Sequence, residues 1–168
     1  DVVRIAVCML DNVLDVTWWP LPEQRREAMA KRRIGLGFLG LGSALVMLGI
    51  RYDSEQGLAF GARVAQAMRD EAYRASVDLA VEKGAFPALD AERYLQSGFA
   101  RRLPDDIRSA VAERGIRNSH LLSIAPTGTI ALAFADNASN GIEPAFAWSY
   151  TRRKRMPDGS TREYAVED

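Results

Sequence analysis

The segment Ser123–Pro144, SIAPTGTIALAFADNASNGIEP, constrains the fold of this chain more than any other part of the sequence. Its first residues belong to a short apolar run, Leu121–Ala125, that is typical of a buried strand. A Pro-Thr-Gly-Thr corner, a run of small residues that favours a helix, and an Asn/Ser/Gly-rich loop closed by Gly-Ile-Glu-Pro follow. Together with the helical patterns elsewhere, this order predicts a predominantly helical α/β protein.

The corner itself, Pro126–Ile130, favours a negatively charged ligand. The first N–H groups of a helix lack partners and lie at the positive end of its dipole. Pro126 has no donor to lose, Gly128 lets a ligand approach the backbone, and the hydroxyls of Thr127 and Thr129 add hydrogen bonds. The residues alone leave two hypotheses equally open, a phosphate site or a threonine N-cap without a ligand. A Walker-type loop is excluded because no Gly-Lys-Ser/Thr follows.

Further polar residues of the same segment are candidates for lining a pocket next to this corner. They are Ser123 in the strand, and Asn140, Gly141 and Glu143 in the loop. Loops of this composition are most often simple turns, which is the alternative for all of them.

Helical spacing and punctuation residues predict the other elements. The predicted helices are Asp1–Val16, Glu23–Arg33, a small-residue helix ending near Gly49, Ser54–Lys83, a short helix capped by Asp90, and one opened by Pro104 and closed by Gly115. Asp53 with Gln56 predicts a capping box for the long helix, and Gly84 its C-cap. Its seam of small and apolar residues (Leu58, Ala62, Ala65, Met68, Ala72, Ala75, Leu79, Ala80) predicts a closely packed neighbour. The Pro157-Asp158-Gly159 turn predicts a hairpin, with Arg152–Arg155 on its solvated face.

Composition excludes several classes of function. There are 22 Lys and Arg against 22 Asp and Glu, so no net field attracts nucleic acid or a membrane surface. Ile34–Ile50 is too short and glycine-rich for a membrane span, and the cytoplasm is the default location. Cys8 is the only cysteine, which excludes an internal disulfide or a thiolate zinc site. His120 is the only histidine, so we predict no metal site.

The glycines Gly35, Gly37 and Gly40 match the GxGxxG pattern of dinucleotide-binding proteins. That fingerprint needs a preceding strand and an acidic residue about 20 positions later. A helical pattern precedes these glycines and Asp53 comes too early, so we interpret them as sites of close packing between a strand and a helix. The chain also starts inside a helical pattern, and we expect residues 1–168 to be a single partial domain of a larger protein.

Three stretches together resemble the large catalytic chain of ribonucleotide reductases. They are RRIGLGFLGLGSALVMLGIRYDS, RNSHLLSIAPTGTIALAFADNASNGIEPAFAWSYTRR and MPDGSTREYAVED. The pattern APTGTI…GIEPAFA.SYTRR is most similar to the adenosylcobalamin-dependent class II enzymes. The resemblance implies a late part of a ten-stranded α/β barrel, with Leu121–Ala125 and Ile34–Gly37 as barrel strands.

The resemblance also implies a function for the corner. In that family the loop matching Pro126–Ile130 holds the phosphates of the ribonucleoside di- or triphosphate substrate. The implied partners are that substrate and the remainder of the reductase chain, in a parent that the resemblance allows to be a homodimer, with adenosylcobalamin as cofactor.

Two departures limit what can be transferred. The family reaction uses a thiyl radical and a reducing cysteine pair, but this chain has only Cys8 and no Asn-x-Cys-x-Glu signature. Ala131 stands where family members often carry serine. We therefore predict no catalytic residue within this chain. The alternatives are a stand-alone phosphate- or nucleotide-binding module and a purely structural helical domain whose threonines are caps.

Overall fold

The computed structural model describes residues 1–133 and 141–167, and these residues form two compact units. The first unit comprises Asp1–Gly37 and Phe60–Ile124. The second comprises Phe38–Ala59 and the chain from Ala125 onward. No helix in the described part of the chain is both long enough and apolar enough to cross a membrane.

The secondary structure is predominantly helical, as the sequence predicts. In chain order the helices are α1 (Val2–Val16), α2 (Pro22–Lys31), α3 (Leu41–Met47), α4 (Glu55–Lys83), α5 (Ala91–Leu95), α6 (Asp105–Arg114) and α7 (Gly128–Ala133). A 3-10 turn covers Ala100–Arg102. The strands β1 (Ser149–Arg155) and β2 (Thr161–Glu167) pair antiparallel, which confirms the predicted hairpin.

Local signals place the helix ends close to their predicted positions. Asp90 caps α5, since its Oδ1 accepts a hydrogen bond from the Arg93 amide at 3.0 Å. Gly84 and Gly115 end α4 and α6 with φ of 87° and 76°, a region that favours glycine. The predicted cap of α4 was wrong. Ser54 takes this role because its Oγ accepts from the Gly57 amide at 3.0 Å, whereas Asp53 pairs with Arg51.

The predicted seam of α4 is buried over only part of its length. Ala72, Ala75, Leu79 and Ala80 are buried and help to form the core of the first unit. Leu58 is 70% exposed, and Ala62 and Ala65 are exposed as well. The prediction therefore fails in the first half of the helix, where the described residues do not cover the small side chains.

The core of the first unit is formed by α1, α4 and α6 and by the segments around them. Its fully buried apolar side chains include Val7, Val77, Ile107, Val111, Ile116 and Leu121. Two extended segments cross this core as a parallel pair. The amides of Ile34 and Leu36 donate to the carbonyls of His120 and Leu121 at 3.0 and 2.8 Å, and Ser123 N donates to Leu36 O at 3.0 Å. The residues predicted as two barrel strands thus lie side by side.

A polar cluster interrupts this core and ties four segments together. Asp11 of α1, which is fully buried, accepts hydrogen bonds from Arg32 Nε at 2.8 Å and from Asn118 Nδ2 at 2.9 Å. Ser76 Oγ of α4 donates to Asn118 Oδ1 at 2.9 Å, and Arg117 Nε lies 3.3 Å from Asp11 Oδ2. A buried carboxylate with this many donors is satisfied, so we assign the cluster a structural role.

Candidate functional site

The corner Pro126–Ile130 lies at the beginning of α7, in the second unit. Pro126, Gly128, Thr129 and Ile130 are exposed and Thr127 is half-buried. The first helical hydrogen bond of α7 runs from the Ala131 amide to the Thr127 carbonyl at 2.8 Å. The predicted transition from an extended segment to a helix is therefore confirmed.

The amides that precede this first bond have no partner in the part of the chain that the structure describes. Among residues 1–133 and 141–167, no group accepts a hydrogen bond from the N–H of Gly128, Thr129 or Ile130. A Cβ atom added to Gly128 would have no other heavy atom of these residues within 4 Å. The backbone at the start of α7 thus presents free donors beside open space, which is the geometry an oxyanion needs.

Thr127 occupies the N-cap position, but its side chain does not cap the helix as one sequence hypothesis required. Its φ of 48° lies in the left-handed region, whereas an N-cap residue has an extended backbone. Its Oγ1 is shielded from solvent and has no hydrogen-bond partner among the described residues. A β-branched residue in this conformation is strained, and such strain is typical of functional sites.

The candidate pocket-lining residues are only partly brought together. A Cβ added to Gly141 would lie 2.9 Å from Glu143 Oε2 and 3.3 Å from the Ala125 carbonyl oxygen. Gly141 and Glu143 therefore lie beside the start of the corner. Ser123 belongs to the first unit, where its amide pairs with Leu36. Asn140 lies outside the described residues.

The same loop also contacts α3. The Gly141 carbonyl accepts hydrogen bonds from the amides of Gly40 and Leu41, at 2.7 and 3.4 Å. A Cβ on Gly42 would approach the Glu143 carbonyl oxygen to 2.2 Å, so only glycine permits this contact. The Gly141–Glu143 backbone therefore fills the N-terminus of α3, where a dinucleotide phosphate would bind.

The first two glycines of the GxGxxG pattern serve the parallel pair. A Cβ at Gly35 would lie 2.8 Å from Ser123 Oγ, and one at Gly37 would lie 2.3 Å from the Ser123 carbonyl oxygen. Close packing thus accounts for these glycines, but the partner is a second extended segment rather than the predicted helix.

The first unit contains a cavity of about 410 Å³ that the sequence does not predict. Tyr73, Tyr94 and His120 line it, and Tyr94 Oη donates to the Ser119 carbonyl at 3.3 Å. Burial raises the pKa of both tyrosines. His120 Nδ1 lies 3.0 Å from Ser119 Oγ, so the histidine is hydrogen-bonded. No local signal marks this cavity, because its walls come from distant segments.

Comparison with known proteins decides the family. Residues 1–166 match the family model described as "Ribonucleotide reductase, barrel domain". The chain belongs to the ribonucleotide reductase family. The predicted resemblance is therefore confirmed over essentially the whole chain, and the two extended segments and their helices are part of a reductase barrel domain.

Individual relatives of this reductase chain agree with that assignment. It is 41% identical over 152 residues to the vitamin B12-dependent ribonucleoside-diphosphate reductase of Mycobacterium tuberculosis, covering 90% of this chain and 19% of the relative. The enzyme of the same name from Thermoplasma acidophilum is 33% identical over 90% of this chain and 18% of its own length. The alpha subunit of ribonucleoside-diphosphate reductase from Treponema pallidum is 32% identical over 92% and 19%. The chain thus spans about a fifth of the length of these relatives.

Proposed function

We propose that this chain is the part of a ribonucleotide reductase that binds the phosphates of the substrate. The observation that carries the proposal is the start of α7, where no described residue accepts from the Gly128, Thr129 and Ile130 amides and no described atom lies within 4 Å of a Cβ added to Gly128. Three convergent N–H groups at the positive end of a helix suit a phosphate oxygen. The vitamin B12-dependent relatives are named as reductases of ribonucleoside diphosphates, which supports a diphosphate as the ligand.

The chemistry of reduction belongs to the rest of the parent reductase. Cys8 is the only thiol in the chain, and it lies half-buried on α1, where Asn12 Nδ2 approaches its Sγ to 3.8 Å. A reaction that needs a radical thiol and a reducing pair cannot be completed by one such residue. In the described part of the chain, no cluster of three or more His, Cys, Asp and Glu side chains is arranged to hold a metal.

The vitamin B12-dependent relatives support adenosylcobalamin as the cofactor of the parent enzyme, and we assign most of its site to segments outside this chain. The chain contributes binding and orientation. Phosphate held by fixed amides positions the ribose, and correct positioning of a substrate supplies a large part of the rate in enzymes. Residues 1–168 are then one part of a barrel domain with two compact units.

A glycine substitution tests the phosphate site. Gly128→Val places its side chain in open space, so the fold should tolerate it, but the side chain blocks the approach to the amides. In the parent reductase we expect the KM for the ribonucleoside diphosphate to rise about tenfold to a hundredfold, the value of one charge-assisted hydrogen bond or more. Gly98→Val is the matched control, since Gly98 also has no neighbouring atom within 4 Å. An unchanged KM in Gly128→Val excludes the corner as the phosphate site.

A further inference from the structure

The β1–β2 hairpin has two faces that differ in charge balance. Opposite residues of an antiparallel pair project to the same side of the sheet. One face therefore carries Tyr150, Arg152, Lys154, Arg162, Tyr164 and Val166, and the other carries Ser149, Thr151, Arg153, Arg155, Thr161, Glu163, Ala165 and Glu167. We call the first set the basic face. It holds three cations and, within the described residues, no carboxylate.

The second face is neutralised internally. Arg153 lies directly opposite Glu163, and Arg153 Nε donates to Glu163 Oε1 at 2.8 Å. Glu167 adds a further negative charge to that face. Side chains of a strand alternate between its two faces, so Arg153 and Arg155 lie on the face that carries carboxylates. The run Arg152–Arg155 is therefore not one uniform basic patch.

The basic face lacks this compensation. Lys154 is paired directly with Arg162, and both are exposed. No carboxylate of the described residues forms an ion pair with either of them. Like charges directly opposite each other destabilise a hairpin, since their Cβ atoms are only about 5 Å apart. This arrangement costs stability, and an anion bound between the two cations would relieve it.

Arg152 extends the same site along β1. It lies two residues before Lys154, and its guanidinium is held in place by Tyr150, with Cζ 5.8 Å from the ring centroid and Nη2 donating to Tyr150 Oη at 3.0 Å. Tyr164, opposite Arg152, leaves 43% of its surface exposed beside these cations. Positive groups thus follow one line on the face, next to an accessible aromatic ring.

We propose that the basic face binds a phosphate chain, that of a nucleotide or of an inorganic polyphosphate. Two of the three cations are arginines, whose planar forks match phosphate oxygens in pairs. Three cationic residues whose Cβ atoms lie within about 5 to 8 Å fit a short polyphosphate, and they are too few for the many backbone contacts that nucleic-acid affinity requires. Tyr164 offers a stacking surface when the ligand carries a base. This site is separate from the α7 site and does not depend on it.

The test is a titration of the 168-residue chain with sodium tripolyphosphate, followed through the backbone amide resonances of β1 and β2. The titration is done in the Gly128→Val background, so that binding at α7 does not contribute. We expect saturable shifts at Lys154, Arg162 and Tyr164, with an affinity that falls as KCl is raised from about 50 to about 200 mM. The double variant Lys154→Ala/Arg162→Ala should bind about tenfold more weakly or worse.

The other face supplies a control with the same change in net charge. Arg153→Ala/Arg155→Ala removes two cations from the same hairpin and should leave the affinity nearly unchanged. In the absence of anion, Arg162→Ala should raise the melting temperature or leave it unchanged, because a like-charge pair is lost. Tripolyphosphate should stabilise the unsubstituted hairpin and the Arg153→Ala/Arg155→Ala control more than Arg162→Ala. This stability measurement separates loss of binding from loss of folding.

Three arms distinguish the ligand. Tripolyphosphate, a nucleoside triphosphate and a hexaglutamate peptide are compared at equal ionic strength. Tighter binding of the nucleoside triphosphate, with shifts at Tyr164, identifies a nucleotide, and equal binding of the first two identifies the phosphate chain alone. Absence of saturable binding, equal losses in the two double variants, or tighter binding of hexaglutamate would overturn the proposal.

Discussion

Arg32 Nε donates a hydrogen bond to Asp11 Oδ1 at 2.8 Å, with both side chains almost completely removed from solvent. Arg32 ends α2 in the left-handed conformation, with φ of 44°, and thereby turns its side chain towards α1. Burial of two charges costs free energy that is recovered only when each charge is fully hydrogen-bonded. Asp15 is a second acceptor for Arg32, and Asn118 is a second donor to Asp11. Both buried charges therefore meet that condition.

Asp11→Ala is therefore expected to destabilise the chain by about 3 to 5 kcal/mol, the cost of leaving a buried charge without its partner. Asp15→Ala removes the other carboxylate of the same arginine. Asp15 is 46% exposed, so its loss should cost no more than about 1 kcal/mol. Urea denaturation of both variants measures the difference. Similar losses in the two variants would show that burial does not decide the strength of these pairs.

The Asp11 carboxylate should also make stability depend on pH. Burial raises its pKa, but hydrogen bonds from Arg32 and Asn118 and the charges of Arg32 and Arg117 outweigh burial and lower the pKa below the usual value. The folded state thus releases this proton more readily than the unfolded chain. The stabilisation is complete above the unfolded pKa of about 3.9 and is lost as the pH falls through the folded pKa.

Urea midpoints between about pH 3 and pH 7 check this prediction. We expect the free energy of unfolding to fall towards the acid end, and to fall less steeply in Asp11→Asn. Asp106 and Asp158 also have lowered pKa values, through Arg74 and Ser160 respectively. They remain in both proteins, so the difference between the slopes belongs to Asp11. Parallel slopes would assign the pH dependence to those exposed carboxylates instead.

Gly37 should be essential for the parallel pair. A Cβ at this position would lie 2.3 Å from the backbone carbonyl oxygen of Ser123, and backbone atoms cannot move aside as a flexible side chain can. Gly37→Ala is expected to separate the two segments locally and to cost about 1 to 3 kcal/mol, as overpacking does. Hydrogen exchange of the Leu36 and Ser123 amides measures the separation. Gly98→Ala is the control, because a Cβ there meets no described atom within 4 Å, and it should leave the exchange rates unchanged. If both amides stay protected in Gly37→Ala, the close contact is refuted.

The cap of α4 can be tested by two neighbouring substitutions. Ser54→Ala removes the acceptor for the Gly57 amide and should cost about 1 kcal/mol. Asp53→Ala removes only an exposed pair with Arg51 and should cost less than about 0.5 kcal/mol. Thermal unfolding of the two variants compares them. A larger loss of stability in Asp53→Ala than in Ser54→Ala would instead support the capping box that the sequence predicts.

Signals that act over a few residues were sufficient to predict most of the secondary structure. Pro104, Asp90, Gly84 and Gly115 each determine the backbone or the hydrogen bonds of their immediate neighbours, so their effects can be inferred from sequence. The corner Pro126–Ile130 belongs to the same class, because its free amides follow from the helix start itself.

Contacts between distant residues could not be predicted in this way. Asp11 lies on α1 next to the polar residue Asn12, and its partners Arg32 and Asn118 are 21 and 107 residues away. Nothing in the local pattern distinguishes it from a solvated aspartate. Capping was also ambiguous, since Asp53 and Ser54 are adjacent and both are good N-cap residues. The charge balance of the hairpin depends on the register of Lys154 against Arg162, which only the structure provides.

Thr127 provides the sharpest test of whether the corner is built for a ligand. Its left-handed backbone and its shielded, unpartnered Oγ1 both disfavour the folded state. Glycine adopts this φ without strain, so Thr127→Gly should raise the melting temperature. We expect the free energy of unfolding to rise by about 1 kcal/mol. If the strain holds the α7 amides in position for phosphate, the same substitution should weaken nucleoside diphosphate binding, measured by calorimetry. Thr129→Ala, which keeps the backbone of Thr127, should leave stability nearly unchanged. A destabilised Thr127→Gly with normal affinity would instead make Thr127 a structural residue and separate its strain from binding.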